Sequence, residues 1–177
     1  MSLLRTVIKT LRLDLVPASR ELIEAVLAGD RRAAESHLGA KLPVGWPDDD
    51  GQREGLPIHL AGLDRDPSEW LWRIRFVVLR ELREAVGTVN MKGKPRSGTV
   101  DVGWWVDTSH RRRGIATEST EAVIEWARSH REVRRITARI LPDNHVSMIL
   151  AERLGMHRTQ ETHEGQWIVW ELPIRQD

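Results

Sequence analysis

An arginine cluster in the stretch SHRRRGIATE has the residue types and spacing to bind an anion. Arg111–Arg113 precede Gly114 at the predicted start of a helix. A helix N-terminus already carries partial positive charge, so cations there are unfavourable unless an anion is bound. Small residues such as Gly114 and Ala116 let backbone amides approach that anion closely. The stretch therefore predicts a phosphate site.

The alternative interpretation of this cluster is a solvated turn that tolerates the excess charge. Two common phosphate loops do not match, because G-x-x-x-x-G-K-[ST] is absent and no G-x-G-x-x-G follows a strand. What remains is Arg-x-x-Gly-x-Ala, formed by Arg111, Gly114 and Ala116. Three positions alone leave both interpretations open.

An acidic residue, Asp101, interrupts the apolar strand that precedes the cluster. Alternation in VDVGWWV places Asp101, Gly103 and Trp105 on one face and the intervening residues on the other. A carboxylate there needs a reason, because burying a charge is costly. Three explanations for Asp101 stay open: it accepts a proton in catalysis, it lies at an edge position, or it forms a salt bridge with an arginine.

A second polar motif opens a later helix, in the stretch LPDNHVSMILAERLGM. Asparagine is among the best helix N-caps, and with Asn144 as the cap, Ser147 is the third helical residue. Capping and ligand binding are compatible roles for Asn144, and both stay open.

These candidates depend on a regular order of strands and helices, predicted from hydrophobic periodicity and turn signals. The predicted strands are 6–16, 70–80, 84–93, 99–107, 134–141 and two within 156–174. The predicted helices are 18–30, 31–40, 114–130 and 144–155, with a loop at 43–55 and a short helical segment at 56–63. This order predicts an α/β (α+β) fold, in which a mixed sheet of about seven strands carries helices on both faces.

Composition restricts the class of protein. A chain of 177 residues, 40% hydrophobic, is expected to form one domain, 1–177. Its net charge of +1 is too balanced for a general nucleic-acid or membrane-surface binder. Cysteine is absent, which excludes a cysteine nucleophile, and the seven histidines lack metal-site spacing, so we expect no metal. No apolar run is long enough for a membrane span, and we expect a cytoplasmic protein.

The two motifs together resemble the GNAT superfamily of acyl-coenzyme A dependent N-acyltransferases. The matching residues, in the family's order, are Arg111, Gly114 and Ala116 in the pyrophosphate signature and Asn144, Ser147, Leu154 and Gly155 in the second signature. The sequence looks most like the Rim-type ribosomal-protein N-terminal acetyltransferases. The resemblance covers roughly residues 70–172 and implies a centrally splayed sheet, with coenzyme A between two parallel strands.

The resemblance implies acetyl-coenzyme A as co-substrate. Its pantetheine is expected to pair with the strand before the phosphate loop and with Asn144, and its pyrophosphate with amides of the loop and of the helix start. The expected cofactor-binding residues are Trp105, Val106, Asp107, Arg111, Arg112, Arg113, Gly114, Ile115, Ala116, Thr117, Asn144 and Ser147.

Direct transfer is the implied mechanism, in which a neutral amine attacks the thioester carbonyl. Many family members place a tyrosine general acid seven residues after the asparagine, but that position is Ala151 here, and the chain has no tyrosine. Ser147 is expected to hydrogen-bond the departing sulfur instead, and Asp101 to take the amine proton, directly or through water. The rival bases are Glu81, Glu84, His59 and His145.

The acceptor is expected to be a primary amine, either a protein N-terminus or a small molecule. Residues 1–69 are expected to shape the acceptor site, 70–155 to bind acyl-coenzyme A, and 156–177 to form the last strands. The acidic run 48–50 is a candidate for attracting a cationic amine. Alternatives are another donor such as succinyl-coenzyme A, or a non-catalytic ribosome- or RNA-associated protein, and a homodimer stays open. The resemblance implies that a second basic cluster contacts the ribose phosphate of coenzyme A through one or more of its arginines, and the rival interpretation, disfavoured by the balanced charge, is an RNA footprint. The cluster consists of Arg128, Arg131, Arg134, Arg135 and Arg139.

Overall fold

The computed structural model describes residues 6–46 and 50–174, and for 50–53 the backbone only. Its strands are β1 (Ile8–Lys9), β2 (Leu13–Pro17), β3 (Ile74–Leu79), β4 (Glu84–Met91), β5 (Thr99–Val106), β6 (Arg135–Ile140), β7 (His157–His163) and β8 (Trp167–Pro173). Its α-helices are α1 (Arg20–Leu27), α2 (Arg31–Leu38), α3 (Asp50–Arg65), α4 (Ile115–Arg128) and α5 (His145–Arg153), with short 3₁₀ helices at Pro67–Trp72 and Thr108–His110. None of these described helices is long and apolar enough to cross a bilayer.

The strands form one mixed sheet in the order β1-β2-β3-β4-β5-β6-β8-β7. Strands β5 and β6 pair in parallel, whereas every other described neighbour pair is antiparallel. The parallel ladder ends at Asp101 and Thr137, although β5 continues to Val106 and β6 to Ile140. The two strands therefore part in the middle of the sheet, and the predicted centrally splayed fold is confirmed.

Helices cover both faces of this sheet, as the sequence predicts. Alternation along β3 places Phe76 and Val78 in a core with α1, α2 and α3, whereas Val77 lies in a second core with α4 and α5. The same alternation holds in β5, where Val102 packs on the α4 side and Trp105 on the α1–α3 side. The face on which each β5 side chain lies is thus fixed by burial.

The predicted first strand, 6–16, is wrong, because it is a hairpin of two strands. The backbone N–H of Thr10 donates to Leu13 O (3.0 Å), and the N–H of Leu13 donates to Thr10 Oγ1 (2.9 Å), which closes a turn between β1 and β2. Apolar alternation continues through the turn, and no glycine or proline marks it. The sheet therefore has eight described strands and not about seven.

The predicted loop 43–55 is also corrected, because α3 begins at Asp50 and runs without a break through the expected short segment 56–63. The proline, glycine and aspartate content of 43–55 is typical of a loop, but burial of Leu56 and Leu63 in the α1–α3 core stabilises a helix that starts at Asp50 and continues through Pro57. The predicted strand 70–80 starts later, at Ile74, because the residues before it form the 3₁₀ helix Pro67–Trp72. Of the acidic run 48–50, two residues and the side chain of the third lie outside the described residues.

Gly62 provides a test of this packing. It lies in α3 against the guanidinium of Arg73, which is 4% exposed and ion-paired with Glu69, so a Cβ there would overlap the guanidinium. We expect Gly62→Ala to lower the free energy of unfolding by about 1–3 kcal/mol. Gly55→Ala in the same helix meets nothing within 4 Å and should raise it by about 0.5–1 kcal/mol. Urea denaturation measures both, and equal stability of the two variants would contradict the described packing.

Candidate active site

The topology brings the two sequence motifs to the same edge of the sheet. Parallel strands end at the same edge, so the carboxyl ends of β5 and β6 lie on either side of the gap between them. The chain passes from β5 through the arginine loop into α4, and from β6 into α5. The start of α4 and the start of α5 therefore flank the gap, as at the ligand-binding edge of other sheets that contain parallel strands.

The loop after β5 is held by its own residues. The side chain of Asp107 accepts from the N–H of Ser109 (3.0 Å) and begins the 3₁₀ turn. Burial alone would raise the pKa of Asp107, but its hydrogen bonds from Ser109 outweigh burial and lower the pKa. Arg111 folds back and donates from Nε to Val106 O (2.9 Å). These contacts fix the path of the loop into α4.

The first turn of α4 presents unpaired backbone donors. Gly114, at φ 76°, is the N-cap, and no side chain caps the helix. Glu118 N donates to Gly114 O (3.0 Å), but the N–H groups of Ile115, Ala116 and Thr117 meet no acceptor in the described part of the chain. Arg112, at φ 61°, is exposed beside them, as are Arg111 and Arg113. Free backbone N–H donors, the positive end of the helix dipole and three long arginine side chains thus surround one point. This arrangement suits a phosphate group.

The free edge of β5 supplies further backbone groups. Backbone groups of alternate strand residues point to opposite neighbours, and Asp107 N donates to Val86 O (2.9 Å) next to β4. The backbone N–H and C=O groups of Asp107 and Trp105 therefore point towards β4. Those of Trp104 and Val106 point into the gap, beyond the end of the β5–β6 ladder. Sequence reasoning selected Trp105, Val106 and Asp107, and it missed Trp104 because the pairing side cannot be read from side-chain alternation.

Asp101 lies at the point where β5 and β6 part. Its Oδ2 accepts from Arg139 Nε (2.6 Å), and its Oδ1 is 3.3 Å from Lys92 Nζ, without hydrogen-bond geometry. Oδ1 is buried and has no hydrogen-bond partner among the described residues, while the side chain as a whole is 18% exposed. The salt bridge with an arginine, one of the sequence interpretations, is present, and the other carboxylate oxygen is ion-paired with Lys92 without accepting a hydrogen bond from any described residue.

The network extends from Asp101 to β7. Arg139 Nη1 donates to His163 Nε2 (2.5 Å), and because a guanidinium has donors only, this nitrogen of His163 is the acceptor. Burial lowers the pKa of Lys92, an effect that Arg139 reinforces and Asp101 opposes. Sequence reasoning missed Lys92 and His163, and it placed Arg139 in a different role, because Lys92 directly after β4 meets side chains of β5, β6 and β7 only in the folded sheet.

The start of α5 confirms that Asn144 is an N-cap. Its Oδ1 accepts from Ser147 N (3.1 Å), which leaves the amide NH₂ of this exposed side chain for another partner. The hydroxyl of Ser147 is partly exposed and has no hydrogen-bond partner among the described residues. Ala151, one turn further along, is 0% exposed and lies in the core.

The other candidate bases lie on elements other than the strand of Asp101. His59 lies in α3, and burial, with smaller contributions from Arg73 and Lys92, lowers its pKa to about 3, which makes it a weak proton acceptor. Glu81 and Glu84 lie around the β3–β4 turn, and His145 is exposed in the first turn of α5. Within residues 6–46 and 50–174, no cluster of three or more histidine or acidic side chains could hold a metal ion.

Comparison with known proteins agrees with this geometry. The family model described as an acetyltransferase (GNAT) domain matches residues 12–157. The chain is 30% identical over 163 residues to YjdG of Bacillus subtilis, an uncharacterized N-acetyltransferase, a match that covers 91% of this chain and 96% of that protein. A ribosomal-protein-serine acetyltransferase of Escherichia coli is 30% identical over 81 residues, 45% of each chain.

Solved structures share the fold at lower identity. An acetyltransferase from Agrobacterium tumefaciens superposes with a TM-score of 0.65 at 20% identity, covering 94% of this chain and 93% of that one. RimL, a ribosomal alpha-N-protein acetyltransferase solved with coenzyme A, superposes with a TM-score of 0.61 at 16% identity over 95% of this chain and 98% of that one. With the family model spanning most of its length, the chain belongs to the GNAT family of acyl-coenzyme A dependent N-acetyltransferases.

Proposed function

We propose that the enzyme moves the acetyl group of acetyl-coenzyme A to a primary amine by direct attack, with the donor in the gap between β5 and β6. The observation that carries this proposal is the first turn of α4, where three free N–H groups follow Gly114 at the mouth of the gap. A diphosphate there would accept from Ile115, Ala116 and Thr117, with the arginine loop adding charge.

The pantetheine arm would continue the sheet along the free edge of β5. Trp104 directs its backbone groups into the gap, and Val106 its N–H, since Val106 O already accepts from Arg111; an amide-containing arm could pair with these groups as a strand would. The free amide of Asn144, across the gap on α5, would bind the arm from the other side. That RimL was solved with coenzyme A supports this class of donor.

Asp101 would accept the amine proton. Its Oδ1, which lies near Lys92 but accepts no hydrogen bond from a described residue, is at the end of the gap and on the α1–α3 side of the sheet, and Arg139 holds the other oxygen in place. The attacking nitrogen forms a bond to the thioester carbon, its proton passes to Oδ1 directly or through water, and coenzyme A leaves as a thiolate. The unpaired hydroxyl of Ser147 would donate a hydrogen bond to that sulfur.

The acceptor would approach from the α1–α3 side. Trp105 faces that layer, with its ring centroid 6.3 Å from that of Trp46. Trp46 Nε1 and His59 Nδ1 are buried there without a hydrogen-bond partner among the described residues, which suits a region that takes up water or a polar acceptor. The similarity to RimL, a ribosomal alpha-N-protein acetyltransferase, favours a protein N-terminus, and a small-molecule amine is the second class to screen.

Non-catalytic RNA binding is less well supported. Three arginines of the second basic cluster are engaged by carboxylates within the chain: Arg128 with Glu125, Arg135 with Glu171, and Arg139 with Asp101. Cations already paired in this way contribute less to a phosphate-binding surface.

Donor binding tests the phosphate site. Gly114→Glu should weaken binding of acetyl-coenzyme A by about a hundredfold or more, because it adds bulk and negative charge at the diphosphate. Its matched control is Gly39→Glu, which places the same side chain at φ 73° in open space after α2 and so carries the same backbone strain. Calorimetric titration with acetyl-, succinyl- and free coenzyme A measures both variants. Unchanged binding by Gly114→Glu would refute the site.

Ser147→Ala tests the leaving-group contact. Loss of one hydrogen bond to a thiolate should lower kcat by about tenfold to a hundredfold, while the Kd of acetyl-coenzyme A and the melting temperature stay near wild type. Release of free thiol in the presence of an accepted amine measures turnover. A kcat equal to that of wild type would exclude the contact.

Asp101 is tested by comparing an amide with a longer carboxylate. Asp101→Asn should lower kcat by about 10²–10³, and Asp101→Glu should retain most of the activity because a proton acceptor remains. Donor Kd should change little in either variant, which separates catalysis from folding. Equal losses in both variants would show that Asp101 only holds Arg139 in place.

A further inference from the structure

The turn between β1 and β2 is tied to the first turn of α4 through Glu118. Thr10 Oγ1 donates to Glu118 Oε1 (2.5 Å), as does Arg12 N (3.0 Å), and Arg12 Nε donates to Glu118 Oε2 (2.8 Å). Three donors from a segment more than a hundred residues away in sequence thus converge on one carboxylate. This carboxylate lies in the same first turn of α4 as the free amides.

Arg12 also contacts the phosphate loop itself. Its Nη2 donates to Arg113 O (3.0 Å) and lies 3.5 Å from the position that a Cβ on Gly114 would occupy. Its Nη1 has no hydrogen-bond partner in the described part of the chain, and the side chain is 43% exposed. The guanidinium therefore lies over the last turn of the loop with one nitrogen available for an anion.

Glu118 explains why a cation is needed at this position. Burial would raise its pKa, but the hydrogen bonds from Thr10 and Arg12 outweigh burial and lower the pKa, so the group is ionised at neutral pH. An ionised carboxylate in the first turn competes with a ligand phosphate for the helix N-terminus and repels it. The ion pair with Arg12 cancels that charge.

We propose that Arg12 is a positioning residue for acyl-coenzyme A, and that the β1–β2 turn is therefore part of the donor site. Arg12 holds the loop through the Arg113 carbonyl and neutralises Glu118 beside the diphosphate. This inference rests on the proposed function of the loop, and it assigns donor binding to an N-terminal segment that lies outside both sequence motifs.

Charge removal and charge rescue test the inference. Arg12→Gln should raise the Kd of free coenzyme A by about tenfold or more, because Glu118 then faces the diphosphate unpaired. Adding Glu118→Gln to that variant should recover most of the affinity. The control, Arg20→Gln, removes an arginine of similar exposure, paired with Glu24 in α1, on the opposite face of the sheet from α4, and should leave the Kd unchanged.

Calorimetric titration supplies the Kd values, and thermal melting without ligand reports folding. A purely structural role would make the double variant bind no better than Arg12→Gln, and that result would overturn the inference. So would wild-type affinity in Arg12→Gln. In either case, normal binding by the wild-type protein would leave the proposed function standing. Absence of coenzyme A binding in wild type would contradict the proposed function first, and this inference with it.

Discussion

The end of the β5–β6 ladder is the feature on which the site depends. After Asp101 and Thr137 the two parallel strands separate, and the backbone of β5 beyond that point loses its neighbour in the middle of the sheet. Unpaired backbone groups in a protein interior are costly unless water or a ligand satisfies them. A sheet that parts in its centre is therefore built to accept a strand-like partner, and the amide-containing arm of coenzyme A has that chemistry.

The same geometry arranges the charges. Because both strands end at one edge, the positive end of α4 and the capped start of α5 face each other across the gap. At the other end of the gap, side chains from β5, β6, β7 and the residue after β4 form the network of Lys92, Asp101, Arg139 and His163. The donor phosphate is thus expected at the open edge and the proton acceptor where the strands meet, which is the order that transfer along the gap requires.

Short sequence motifs predicted those parts of the site that depend on neighbouring residues in the chain. The start of α4 after the arginines, the N-cap role of Asn144 and the strand that carries Asp101 each follow from residues within one turn or one strand, and the structure shows all three. Partners brought together over long sequence separations were not predictable, as with Arg12 and Glu118. Two errors in the elements have different origins, one local and one in packing. The hairpin at Thr10 is closed by a side chain that carries no strong turn signal, and α3 persists through Pro57 because its apolar residues are buried by packing.

Amide chemical shifts of isotopically labelled protein, followed by NMR during titration with coenzyme A, test the central claim at residue resolution. The account predicts the largest shifts at the backbone amides of Trp104, Val106, Ile115, Ala116 and Thr117, which line the gap and the start of α4. Shifts confined to the groove between the end of α4 and α5, around Arg128 and Arg153, would place the ligand elsewhere and contradict the account.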